Sequence, residues 1–339
     1  EAGWDVTIVT ADTGKLKDIE NRGLKVINLP MSRSGMNIFE ELNTLNFLRK
    51  LYKRERPDVV HHVGMKTILW GTLAAKCSKV NGVVNAISGL GGFFAEDNKG
   101  ILSKVMPIVL KFSHARKNIL CIFQNDDDWG LYVKHGIIKY EQGRFIKGSG
   151  VSLEDFCYSP EPKEGKLKVI LTARMIVEKG IFLLTEAAER LRKKYGEKAE
   201  FLLIGGLDDH PGAITKEQLD TVCDGKYIQW LGYRTDVREL LKQCHIVAFP
   251  SYYMEGLPKS LIEADAIGRP IITSNSVGCK ETVIDGENGF LIQPKNVDAL
   301  TEKLDILLGD AELRQKMGKA ARAYAEKYFD IKVVIERHL

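Results

Sequence analysis

Short apolar runs separated by helix-length segments recur along this chain, and that alternation restricts its fold more than any other property. In the first 150 residues the strand-like runs are Val6–Thr10, Lys25–Leu29, Asp58–His62 and Val83–Ile87. Between the second and third lies a predicted helix, opened by Asn37 and stopped by Pro57. Its apolar positions Ile38, Leu42, Leu45, Leu48, Leu51 and Tyr52 recur at helical spacing. A further helix is predicted from Thr67 to Ser78. Strands that alternate with helices argue for a parallel sheet covered by helices on both faces. The pattern resumes with strands at Leu167–Arg174 and Phe201–Gly206 and helices over Ile181–Tyr195, Val297–Leu308 and Glu312–Tyr328. At 339 residues the chain is long enough for two such units. No apolar run approaches the ~18–20 residues of a membrane span.

The most informative stretch lies between Ile246 and Gly289. A buried-strand run, Ile246 to Phe249, stops at Pro250. A loop from Ser251 to Pro258 follows, carrying one carboxylate, Glu255. A helix is then predicted from about Pro258 to Gly268, with proline at its first turn and glycine after its end. A strand over Pro270–Thr273 comes next. Glu255 and Glu263 stand eight residues apart, roughly 12 Å if helical throughout. They are too far apart to share a proton, but well placed to grip an extended ligand at two points. The amides of Gly256, Leu257, Lys259 and Ser260 at the helix start offer an anion site, strengthened by the helix dipole. The stretch therefore suits a phosphate-bearing molecule with hydroxyls to grip.

Pro250-Ser251, Glu255-Gly256-Leu257-Pro258, Ser260-Leu261, Glu263-Ala264 and Gly268-Arg269-Pro270 together resemble the E-x7-E signature of family 4 retaining glycosyltransferases. Gly278, Glu281-Thr282-Val283-Ile284-Asp285-Gly286 and Asn288-Gly289-Phe290 extend the likeness. The resemblance implies the GT-B fold, an α/β architecture of two Rossmann-like domains facing a cleft. Gly148-Ser149-Gly150-Val151-Ser152 is similar to the family's linker, which sets an acceptor-binding domain over residues 1–150 and a nucleotide-sugar-binding domain over 151–339. The usual aspartate after the valine is Ser152 here, so any role of that carboxylate is lost or moved. Family members carry a strand, a glycine-rich loop and a helix ahead of the first strand seen here, so about thirty residues are expected to precede Glu1. The segment 328–339 is expected to cross back to the first domain.

The resemblance also implies roles. Glu255 would hold the C3 and C4 hydroxyls of the donor sugar, and Glu263 the ribose. Arg174 and Lys179 would hold the diphosphate, where fixed cations stabilise the charge growing on the leaving group. Gly256, Leu257, Pro258 and Lys259 would complete the phosphate site, and Leu231, Gly232 and Tyr233 would meet the base. On the acceptor side, ligands of open α/β sheets sit beyond the carboxyl ends of strands, which favours His62 over His61, together with Lys66. A histidine there is equally at home in a core. Gly89 and Gly91, in Ser88-Gly89-Leu90-Gly91-Gly92, would let the backbone approach a ligand. Several family members carry a histidine where Ser88 stands, and that interaction is not assigned. The Gly-Leu-Gly form with Lys66 resembles a branch that works on lipid-linked sugars in surface-polysaccharide or glycoprotein assembly.

Charge and composition bear on the acceptor. Residues 1–150 carry 22 Lys and Arg against 15 Asp and Glu, whereas the remainder carries 27 against 30. A basic front half suggests contact with phosphate or an anionic membrane surface. Lys99 to Lys117 interleaves apolar residues with lysines and contains Pro107; this fits a helix lying on a membrane or a core helix with a solvated edge. Asp126-Asp127-Asp128 raises a metal site, but without a second ligand cluster it reads as a solvated loop. The six cysteines are scattered, which suits reduced thiols in the cytosol and gives no zinc spacing.

The expectation is a metal-independent retaining glycosyltransferase with no cofactor beyond its UDP-linked donor. It would move a hexose or N-acetylhexosamine to a sugar on a polyprenyl diphosphate at the inner face of the cell membrane. No nucleic-acid partner and no transmembrane segment are expected. The rivals are a transferase with a soluble sugar acceptor, a UDP-N-acetylglucosamine epimerase and a non-catalytic nucleotide-sugar-binding module.

Overall fold

The computed structural model describes residues 3–31, 37–90 and 101–338. In the first unit the elements run β1 (Thr7–Thr10), α1 (Leu16–Glu20), β2 (Lys25–Asn28), α2 (Ile38–Glu55), β3 (Val59–Val63) and α3 (Met65–Ser78). They continue with β4 (Gly82–Ile87), α4 (Ile101–His114), β5 (Ile119–Phe123), α5 (Asp126–Lys134) and β6 (Gly143–Phe145). Strands β3-β4-β5-β6 form one parallel sheet, and β1 and β2 pair in parallel beside it. Asn37 caps α2 by accepting from the Phe39 amide at 3.0 Å, and the chain turns into a left-handed conformation at Arg56 just before Pro57. Both ends of that helix are thus set locally.

The second unit comprises β7 (Leu167–Thr172), α6 (Ile181–Tyr195), β8 (Ala199–Ile204), α7 (Lys216–Val222), β9 (Ile228–Trp230) and α8 (Val237–Lys242). After these come β10 (Ile246–Phe249), α9 (Lys259–Ile267), β11 (Ile271–Ser274), β12 (Gly289–Ile292), α10 (Val297–Gly309), α11 (Ala311–Tyr328) and α12 (Ile331–His338). The six parallel strands lie in the order β12-β11-β10-β7-β8-β9. The chain runs outward from β7 through β8 to β9, then returns to lay β10 on β7's other edge. That reversal leaves a crevice beyond the carboxyl ends of β7 and β10, the place where doubly wound sheets bind ligands. Strands buried on both faces read as continuous apolar runs: all four residues of β10 and of β11 are buried.

The chain end ties the units together. The Val151 amide donates to the Phe329 carbonyl at 2.7 Å, and the Ile331 amide donates to the Val151 carbonyl at 3.0 Å. Helix α12 then packs Val334 against Ile122 of β5 and Ile146. Lys147 reaches the other way. Its amine lies 4.7, 5.0 and 5.9 Å from the ring centroids of Tyr324, Tyr328 and Phe329, and it donates to the Tyr324 hydroxyl. No helix among the described residues is long and apolar enough to cross a membrane.

Candidate active site

Two loops beyond the switch point bring the charged groups together. The loop after β7 makes a tight turn over Val177–Lys179, whose last amide donates to the Ile176 carbonyl at 3.0 Å. The loop after β10 lies along it, the Tyr252 amide donating to the Glu178 carbonyl at 2.9 Å. Lys179 is only 7% exposed, and its amine pairs with a carboxylate oxygen of Glu255. The same oxygen lies 3.3 Å from the Ser251 hydroxyl, and the Tyr253 ring stands 5.0 Å from the Lys179 amine. Removed from bulk water, such a pair acts on a ligand more strongly than exposed charges would.

Helix α9 starts at Lys259 with Pro258 as its cap residue and no side chain satisfying its first amides. Its opening turn therefore offers N–H donors to an anion at the edge of the Lys179–Glu255 pair. Lys259 donates its amine to the Gly150 carbonyl, tying the helix start to the chain just before Val151. Glu263 lies one turn further on. Burial pushes its carboxyl above the ordinary range, and Lys259 pulls it partly back. Arg174 follows β7 and donates to Asp208 at 3.0 Å while staying half-exposed. Burial works against the ionised Asp208, but the Arg174 guanidinium prevails and holds its carboxyl below the usual value. Leu231, Gly232 and Tyr233 stand at the carboxyl end of β9. The Gly205 amide donates to the Gly232 carbonyl at 2.9 Å, and Tyr233 is exposed.

The first domain meets this site through the turn after β4. Gly89 has φ +116°, and a Cβ there would lie 2.6 Å from the Gly256 amide nitrogen, so only glycine permits the approach. Gly256 packs as closely in return, since a Cβ on it would overlap the Ser88 carbonyl. Lys66, in the first turn of α3, pairs with Glu41 at 2.6 Å. Gly91 lies outside the described residues.

Two expectations are corrected. His62 does not face the cleft. Strand β3 runs from Val59 to Val63 with Val60 and His62 inward and His61 outward. The His62 ring is sealed between the Tyr52 hydroxyl at 3.0 Å and the Asn85 side chain at 2.8 Å. Because Asn85 presents its oxygen, His62 donates from Nδ1 and accepts from Tyr52 at Nε2. Burial lowers its pKa to about 4, so it is a neutral core residue. The Asp126–Asp128 run is not a loop either, although Asp126 and Asp127 are exposed: it forms the first turn of α5. Asn125 caps α5 there, accepting from the Asp128 amide at 2.7 Å, and the Asp128 side chain is fully buried. Among the described residues, no three His, Cys, Asp or Glu gather as a metal site.

Comparison with known proteins agrees with this geometry. A family model for group 1 glycosyl transferases matches residues 158–324, and one for glycosyl transferase 4-like domains matches residues 1–125. The N,N'-diacetylbacillosaminyl-diphospho-undecaprenol alpha-1,3-N-acetylgalactosaminyltransferase of Campylobacter jejuni is 31% identical across 96% of this chain and 87% of its own length. The chain belongs to the family 4 glycosyltransferases. The UDP-Gal:alpha-D-GlcNAc-diphosphoundecaprenol alpha-1,3-galactosyltransferase of Escherichia coli is 24% identical across 97% of this chain and 86% of its own. Among solved structures, Anabaena HepE in complex with UDP superposes with a TM-score of 0.79 at 17% identity, covering 98% of this chain and 90% of its own. Sucrose-phosphate synthase from Thermosynechococcus elongatus gives 0.80 at 19%, covering 99% and 88%. The fold is therefore GT-B. In this glycosyltransferase the structure gathers Lys179, Glu255 and the start of α9, adds Ser251, Tyr253 and Asp208, and removes His62. Ser251 and Tyr253 lie in the Glu255 loop that the motif already marked, whereas nothing local marked Asp208, 34 residues from its partner Arg174.

Proposed function

We propose that this glycosyltransferase moves a hexose or N-acetylhexosamine, with retention, from a UDP-sugar to a sugar carried on a polyprenyl diphosphate. The observation that carries the reading is the Lys179–Glu255 pair beside the uncapped start of α9, at the switch point of the second sheet. A donor diphosphate would settle on the α9 amides from Gly256 to Lys259 and draw on Lys179 and Arg174 for its charge. Glu255, released in part from Lys179, would accept hydrogen bonds from the sugar's C3 and C4 hydroxyls. Glu263 would take the ribose and Leu231–Tyr233 the base. The acceptor hydroxyl would attack from the face the diphosphate leaves, passing its proton to a diphosphate oxygen. The cations balance the charge formed, so the reading calls for no metal ion.

Residues 1–150 would hold the acceptor, with Lys66 and Gly89 nearest the reacting carbon, and residues 151–339 the donor. The lipid-linked acceptor is supported by the Campylobacter and Escherichia relatives, whose names specify undecaprenyl-diphosphate-borne sugars. It is supported also by the surface of α4, where Val105, Ile108 and Phe112 are 43, 68 and 63% exposed on one face with Lys111 alongside. Apolar side chains flanked by lysines suit the inner, anionic face of the cell membrane.

The test is UDP release from a panel of UDP-sugars, each with and without a polyprenyl-diphosphate-linked sugar. Release is expected to need one donor and the lipid acceptor together, and to fall at least a hundredfold in Glu255→Ala and in Lys179→Ala. Release from a donor with no acceptor dependence, or with a soluble sugar alone, would refute the proposal.

A further inference from the structure

One cross-domain contact bears directly on the reacting centre. The side-chain nitrogen of Asn125, at the carboxyl end of β5, has two hydrogens and two acceptors. One is Asp128 Oδ2 at 3.0 Å in its own domain, and the other is the Gly256 carbonyl at 3.2 Å in the opposite domain, 131 residues away. Its side-chain oxygen is already used to cap α5. Serine, threonine or aspartate would cap as well. Asparagine adds a donor long enough to cross the cleft. All three groups are buried.

Asp128 is costly where it stands. Its Oδ1 has no hydrogen-bond partner and is shut off from solvent. Burial raises its carboxyl to about 6, against the Asn125 hydrogen bond and with Asp127 adding to the rise. A buried unpaired oxygen lowers stability, so cap strength alone gives no reason for this residue. Holding the Asn125 amide in one orientation does.

Resting on the glycosyltransfer reading above, we propose that Asn125, oriented by Asp128, is a positioning residue for Glu255. By fixing the Gly256 carbonyl, it sets the Gly256–Leu257 peptide, one step beyond Glu255 on the way into α9, and so aims the carboxylate at the donor sugar only when the two domains are together. Ser88 and Gly89 brace the preceding peptide, between Glu255 and Gly256, through close backbone approach. Acceptor-domain closure and catalytic geometry are thereby one event, as lids and closing domains commonly arrange.

The experiment compares the full chain with Asn125→Ser, which keeps the cap but cannot reach Gly256, and with Asp128→Ala and Asp128→Asn. Hydrogen exchange of the amides in residues 255–261 is expected to quicken at least tenfold in Asn125→Ser and Asp128→Ala, with UDP affinity by calorimetry within about threefold of the parent. Asp128→Asn, which can still accept from Asn125, is expected to stay near the parent. With the donor and acceptor found by the panel, kcat is expected to fall at least tenfold while KM for the donor barely moves. Unchanged exchange in Asn125→Ser overturns the proposal whether or not the parent releases UDP. Faster exchange with undiminished kcat overturns the positioning role, and a parent that never releases UDP sinks the functional reading alone.

Discussion

Asp265 shows how much a single position can hide. It lies two residues beyond Glu263 on α9, faces the interior, and has one carboxylate oxygen accepting from Asn288 at 3.1 Å while the other has no partner. Burial pushes its carboxyl well above the ordinary range, and the Asn288 hydrogen bond only partly offsets this. The folded chain therefore keeps a proton that the unfolded chain has lost, over the window from the ordinary Asp value of about 4 upward. Asp265's contribution to stability falls as pH rises through that window. Asp265→Asn removes the titration, so its melting temperature relative to the parent is expected to climb from pH 5 to pH 8; thermal melts at both pH values measure it. Lys179 and Glu255 make the complementary point. Each stands out within its own motif, yet their pairing across 76 residues is visible only when β7 and β10 lie side by side. His62 is a matter of parity: neighbouring histidines on a strand must face opposite ways, and which one was buried depended on packing against Tyr52 and Asn85.

At the scale of elements, periodicity served well wherever one face met a core. Helix α6 runs from Ile181 to Tyr195 as its spacing predicts, and α9 ends where Gly268 adopts a left-handed conformation. Acidic composition misled at α5, because a run of aspartates reads as a loop although the first turn of a helix also welcomes negative charge. Helix α4 resolves an ambiguity only in part: Leu110, Ser113 and His114 are buried while Val105, Ile108 and Phe112 remain outward, and the Lys76 amine sits 3.9 Å from the Phe112 ring. It has an inner face that serves the core and an outer one left apolar. Ile108→Glu is expected to reduce sedimentation with anionic liposomes at least fivefold, leaving the melting temperature within about two degrees, because an exposed site contributes little to stability. Equal sedimentation of both proteins would remove this face from the membrane reading.

For the whole molecule, the closing segment packs back onto the first domain. Val334 on α12 is buried against Ile122 and Ile146 of the first domain, a contact worth roughly 1.5–3 kcal/mol for a side chain of this size. Val334→Asp would place a carboxylate there, and α12 is expected to undock, raising the radius of gyration in solution scattering and speeding exchange in residues 331–338. Lys147 provides a second tie. Burial lowers its pKa while Glu281, 3.9 Å away, opposes the shift, and three aromatic rings enclose the amine. Local pattern by itself determined the alternating α/β class, most strands and helices, and the Glu255–Glu263 stretch, because burial periodicity, caps and turn glycines are written in neighbouring residues. Tertiary structure alone decided that His62 belongs to the core, that Lys179 holds Glu255, and that Asn125 reaches Gly256. None of those contacts is written in neighbouring residues: His62 needs the first unit to pack, Lys179–Glu255 needs β7 and β10 side by side, and Asn125–Gly256 needs the two units brought together.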